Sequence, residues 1–339
     1  MRGIDKERLI DIYTDYLISV QGQARATGLS RIIDELSHEQ ITRFLSNNEF
    51  NSKTLWLNVK RMVREIEDKG GVIVFDDTIV EKSCSKENDI ICWHYDHSKG
   101  RHIKGVNILS CLYINSAGIS IPINFEIVKK EKRKSLKTKN EMLREMFIRS
   151  IQNHIKFKYV LMDSWFSSKE NLELITKKKK HFICAIKSNR LFALSKKEKL
   201  QGKFQRVDSI ADIDKKPILG YIKGFSKPIL LYKQVFKNKD GSKGAIYLIC
   251  SDTTLDEDKI QTIYQKRWKI EEYHKSIKQN TAVGKSPTKI VKTQSNHIFL
   301  SILAFFKLET LKIKHALKAK LWIKANMIAF KELQKLKCA

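Results

Sequence analysis

The chain has 339 residues, of which 65 are Lys or Arg and 37 are Asp or Glu, giving a formal net charge of +28. A hydrophobic fraction of 42% at this length supports a sizeable core and excludes a disordered chain, and six cysteines without a paired Cys-x-x-Cys spacing exclude a disulfide scaffold and fit a reducing compartment. The longest apolar run, residues 298–306, is too short to cross a bilayer and the opening residues carry no secretory leader, so a cytoplasmic protein without a membrane partner is expected.

Residues 1–68 read as helical, with apolar periodicity at Leu9, Ile10, Tyr13 and Leu17 and capping-box spacing between Ser37 and Gln40. Residues 71–78 then form a β-branched run that predicts a buried strand finishing on Asp76 and Asp77. Strand alternation puts these two carboxylates on opposite faces. A polar turn follows at 81–104, holding His94, His97, Lys99, Arg101, His102 and Lys104, read either as a DNA-contacting loop or as a solvated one. Cys84, Cys92, His94 and His97 lie within or beside it, but their spacing matches no zinc module. Residues 106–115 and 119–128 pair as a hairpin across Ser116, Ala117 and Gly118, and a helix over 139–154 leads to a second strand that ends at Asp163. Farther on, strand-like runs at 181–187, 217–223, 229–236 and 245–250, with a turn at 237–241, predict a β-rich insertion.

Only 14 of the 65 basic residues are Arg, as an AT-rich coding sequence would give without selection for DNA binding, so the distribution of charge says more than its sum. Basic clusters occur at 129–139 and 177–180, the second explained equally by a helix C-terminus, and residues 280–339 carry 12 Lys and no Arg against 2 Glu. Such a surface attracts phosphate backbones and makes binding salt-dependent.

Near the end of the chain stand Tyr264, Arg267, Glu271 and Lys278. On one continuous helix, at about 100° per residue, they fall within roughly 60°, so that one face presents a carboxylate, two cations and a phenol. Glu272 points away from that face. A solvated mixed-charge helix face would give the same pattern. The two upstream strands supply further carboxylates, and such strand ends open on the crevice where open α/β sheets keep their chemistry.

The spacing Tyr, two residues, Arg, three residues, Glu, six residues, Lys resembles the signature of a group of DDE transposases of bacterial insertion sequences, and Asp77-Thr78 and Asp163-Ser164-Trp165-Phe166 resemble that group's two aspartate motifs. The resemblance runs from about residue 71 to 278. It implies an α/β fold with a ribonuclease H-like catalytic core, a β-rich insertion and helical N- and C-terminal flanks. The expected organisation is a helical module at 1–68, a candidate for binding DNA ends, a core at 69–187 and 252–282, the insertion at 188–251, and a basic helical region at 283–339. Asp77, Asp163 and Glu271 would be both catalytic residues and metal ligands, with Asp76 as the rival for the first position. Tyr264, Arg267 and Lys278 would contact DNA, although Tyr264 beside Trp268 could equally be helix packing. Magnesium, with manganese as a substitute, would be the cofactor. The partners would be DNA, as transposon ends and target, and a second copy of the chain on that DNA; the location would be the bacterial nucleoid. Some relatives use an insertion Trp to stack on an extruded base; here none lies between Trp165 and Trp268, so that role either passes to Tyr221, Phe225 or Tyr232 or is absent. The last 60 residues offer 298–307 and 321–336 as helices for dimer or DNA contacts.

Overall fold

A computed structural model of the chain describes residues 5–314 apart from 97–98, 132–133, 212 and 238–239. His97, Cys338 and the predicted helix at 321–336 lie outside the described residues. Four helices open the chain: α1 Lys6–Ser19, α2 Ala26–Ser30, α3 His38–Asn47 and α4 Ser52–Ile66. The α3 start holds the expected capping box, with Ser37 Oγ accepting from the Gln40 amide and the Gln40 side chain accepting from the Ser37 amide. Then come β1 Val72–Glu81, β2 Ile91–Asp96, β3 Arg101–Ile114, β4 Ser120–Ile127, a short β5 Lys130–Glu131 with β6 Lys134–Ser135, α5 Lys139–Gln152, β7 Tyr159–Met162, α6 Lys169–Lys177 and β8 His181–Ile186. The second half adds β9 Leu191–Ala193, α7 Lys196–Leu200, β10 Gln205–Arg206, β11 Ile218–Ile222, β12 Ile229–Lys237, β13 Lys243–Cys250, α8 Glu257–Gln265, α9 Trp268–Asn280 and α10 Val291–Lys314.

One mixed sheet organises these elements, in the order β10, β9, β11, β12, β13, β8, β7, β1, β3, β2, with β4 also paired to β3. Its centre is a parallel set, β1 with β7 and β7 with β8, flanked by antiparallel strands on both sides. This is the ribonuclease H-like core, with helical flanks. Residues 188–251 supply β9 to β13, which extend the sheet past β8. Val72, Ile73, Val74 and Phe75 on β1 and Val160, Leu161 and Met162 on β7 are fully buried, as near-continuous apolar strands covered on both faces should be. The apolar run at 298–306 lies inside α10, which packs against α1, α3, α4, α9 and β4.

Three expectations are corrected. The turn at 81–104 contains β2, paired to the start of β3, because its outward residues Trp93 and Tyr95 are exposed while Ile91, Cys92 and His94 are buried, leaving one solvated face that reads as polar in sequence. β1 does not finish on the aspartates: antiparallel pairing with β3 carries it to Glu81. The signature segment is not one helix but two. Between α8 and α9 the amides of Lys266, Arg267, Lys269 and Ile270 bond to carbonyls three residues back, the tighter pattern of a 3₁₀ turn.

Candidate functional site

β1 and β7 are paired only from Val72 opposite Tyr159 to Val74 opposite Leu161. Past that point they part, and the notch between them is bordered by Asp76 on β1 and by Asp163, the residue after β7. α8 and α9 close it from one side, and the end of β8 with β13 from the other. The result is a cleft of about 410 Å³ lined by Asp76, Asp163, Ser188, Tyr247, Arg267 and Glu271 among others. Its position at the carboxyl ends of parallel strands is the one at which open α/β sheets place their chemistry.

Each carboxylate has a different restraint. Asp163 caps the turn at Ser164–Phe166, its Oδ1 accepting from the amides of Trp165 at 3.0 Å and Phe166 at 3.3 Å. Burial raises its pKa, those two amides oppose the rise, and the Asp77 charge adds to it. Asp76 is pushed up to about 7, chiefly by burial and then by the charges of Asp163 and Asp77, against the pull of Arg267. Glu271, on the first turn of α9, accepts from Arg267 Nη2 at 2.7 Å, while Arg267 Nη1 lies 3.9 Å from Asp76 Oδ2. Arg267 therefore spans two of the cleft carboxylates and partly neutralises both.

Asp77 is turned the other way. It shares a face of the sheet with Phe75 and its β3 partner Cys111, the face covered by α5, whereas Asp76 shares the opposite face with its partner Ser110, which Tyr273 of α9 reaches. There Asp77 accepts from Lys139 Nζ at 2.7 Å and from Asn107 Nδ2 at 2.8 Å. The side chain that enters the cleft beside Asp163 and Glu271 is thus Asp76. The sequence pattern before Thr78 selects Asp77, because adjacent aspartates differ only in which face of the strand they take. Lys139 belongs to a basic cluster visible in sequence, but a pairing across 62 residues has no local signal.

Tyr264 is buried, its hydroxyl donating to the Met162 carbonyl at 3.4 Å and its ring lying 5.9 Å from the Arg267 guanidinium. Burial raises its pKa. It ties α8 to the residue before Asp163. Lys278 stands two turns beyond Glu271, exposed and outside the cleft lining, in the field of Asp96 and Lys99. Of the aromatic side chains considered for stacking, Phe225 and Tyr232 are buried, Phe225 edge-to-face on Phe182 and Tyr232 bonded to Gln261, so they serve the core; Tyr221 is half-buried under Lys199. Two large exposed aromatics stand near cleft residues in sequence without lining the cleft: Trp165, next but one to Asp163 with Lys139 Nζ 5.1 Å from its ring, and Trp268, next to Arg267.

Among the described residues no group of three or more His, Cys, Asp or Glu side chains is spaced to hold a metal ion. The donor set of the cleft fits a hard cation all the same, being all oxygen and crowded enough that the Asp163 charge raises the Asp76 pKa, with a guanidinium balancing part of the charge.

The order β4, β3, β1, β7, β8, with β3 antiparallel to β4 and β1, and β1, β7 and β8 parallel, is that of a ribonuclease H-like sheet, and the acidic cleft lies by the carboxyl ends of its parallel strands. Residues 67–306 match the family model described as the transposase DDE domain, and the chain belongs to that family. No curated protein matches it. Among solved structures, a chain of the Drosophila P element transposase strand transfer complex is similar at 13% identity and a TM-score of 0.28, over 52% of this chain and 36% of that one. This chain therefore spans about a third of that relative's length.

Proposed function

We propose that the protein cleaves DNA at the ends of an insertion sequence and joins the freed 3′-hydroxyl to target DNA, and that it belongs to the group of the family with the Tyr, Arg, Glu, Lys signature. The observation that carries this reading is the convergence of Asp76, Asp163 and Glu271 on one cleft of a strongly basic chain. In this proposal Asp76 takes the first position in place of Asp77, and the three carboxylates hold magnesium, or manganese in its stead, with DNA oxygens and water completing the coordination. Bound there, two such ions would activate the attacking oxygen and stabilise the leaving one. Arg267 would exchange its carboxylate contacts for phosphate as DNA and metal enter, and Lys278 would contact the backbone farther along α9. Tyr264 braces the α8 end against β7 and makes no DNA contact. Residues 1–68 pack through α1 and α3 on α10 and through α4 on β4, which favours support of the core over a detached end-binding module. Joining two ends would bring two copies of the chain together on DNA, in the bacterial nucleoid.

The test is magnesium-dependent cutting and joining of a DNA fragment that carries the element's own end, with intact protein beside Glu271→Gln. Joined product that vanishes in the variant supports the proposal. Cutting without joining would make the protein a nuclease, and binding without any reaction would make it a DNA-binding remnant.

A further inference from the structure

The amino ends of β1, β7 and β8 come together at the edge of the sheet opposite the cleft. The Lys158 amide bonds to the Gly71 carbonyl at 2.8 Å and the His181 amide to the Lys158 carbonyl at 3.1 Å, so the three strand entrances are laced side by side. Each entrance brings lysine. Lys69 comes from the turn after α4, Lys156 and Lys158 from the segment between α5 and β7, and Lys179 and Lys180 from the end of α6. With His181 and the Phe157 ring they line a depression of about 370 Å³ whose lining contains no carboxylate.

Part of this charge is used by the fold. Lys158 pairs with Asp252 at 2.9 Å, Lys156 lies 3.9 Å from Glu67, and Lys180 donates to the Phe157 carbonyl at 2.6 Å with its pKa lowered by burial. A helix C-terminus accounts for cations on α6 itself, but not for Lys69 and Lys156, which arrive from other segments. Gathering like charges from three separate stretches works against the compact state unless an anion compensates them. Lys69, Lys156 and Lys179 are exposed, so their ammonium groups can meet such an anion from solvent, Lys156 by giving up its long contact to Glu67.

We infer that this depression is a second DNA-backbone site, separate from the carboxylate cleft. Four residues of β7 lie between Lys158 and Asp163, and the rise from Tyr159 to Asp163 is roughly 13 Å at about 3.3 Å per residue, which sets the site at the opposite ends of the same strands from the cleft. The inference rests on the reading of the chain as a protein that acts on DNA.

The experiment measures binding of a labelled random-sequence duplex between about 50 and 200 mM salt, a range over which phosphate contacts dominate the slope. The proteins are the intact chain, the triple variant Lys69→Gln, Lys156→Gln, Lys179→Gln, the same three positions changed to Arg, and a control triple Lys53→Gln, Lys60→Gln, Lys196→Gln on exposed positions elsewhere. At roughly 0.9 per phosphate, the patch triple should lower the slope of log affinity against log salt by about 2 to 3, while the Arg triple and the control keep it. An unchanged slope in the patch triple, or an equal fall in the control, would overturn the site and leave the cleft reading standing. A chain that binds no DNA in the intact form would remove both. Should the Gln triple fail to fold, single Lys69→Gln and Lys179→Gln variants read the same slope, each expected to lower it by about 0.9.

Discussion

Asp76 and Asp77 show how much depends on which face of a strand a side chain takes. One enters a cleft with Asp163, Glu271 and Arg267; the other is clasped by Lys139 and Asn107. Tyr264 belongs to the same surroundings but serves packing. Tyr264→Phe removes one buried hydrogen bond and should lower stability by about 1 kcal/mol in urea unfolding, with the salt slope of DNA binding unchanged. A fallen slope would make it a DNA contact instead. Lys82 gives the pH dependence. Its Nζ donates to the Gly284 carbonyl at 2.8 Å and the Ser286 carbonyl at 2.7 Å, tying the end of β1 to the segment before α10, and burial brings its pKa from 10.5 down to about 8. Between those values the unfolded chain holds more of this proton than the folded one, so Lys82 contributes a stability that grows as pH rises from about 8 to 10.5. Thermal unfolding across that window should show the intact protein gaining on Lys82→Met; a constant difference would contradict the buried-lysine assignment.

At the scale of elements, the strands were the most legible. Continuous β-branched runs led to β1, β7 and β8 because strands buried on both faces need no polar alternation. β2 was hidden for the opposite reason, since an edge strand with a wet face looks like a loop. The signature segment is split between α8 and α9 where one helix was expected, and the 3₁₀ turn at Lys266 and Arg267 that divides it goes with long-range packing such as the Tyr264 bond to Met162. Three acidic sites on two strands and a helix were legible in the sequence, but which of the neighbouring aspartates faces the cleft with Asp163 and Glu271 was not. α5 carries the partner of Asp77, and its start is fixed by Thr138, which accepts from the Glu141 amide while Glu141 accepts from the Thr138 amide. Thr138→Ala should cost about 1 kcal/mol, read as a lowered urea midpoint at constant slope.

Over the whole molecule, the sheet separates two electrostatic regions on the same three parallel strands: carboxylates by their carboxyl ends and lysines at their amino ends. That polarity lets one chain hold an acidic cleft and still carry a net charge of +28. Among the described residues no helix is long and apolar enough to cross a membrane. The most direct test of the account is the joining assay run on Asp76→Asn and Asp77→Asn in parallel, with magnesium and the element's own DNA end. The account predicts that Asp76→Asn loses joining by about 10²-fold or more, while Asp77→Asn, which breaks the Lys139 ion pair and takes one charge from beside Asp76 and Asp163 but removes no carboxylate from the cleft, keeps most of it. Loss confined to Asp77→Asn, with Asp76→Asn active, would contradict the cleft described here.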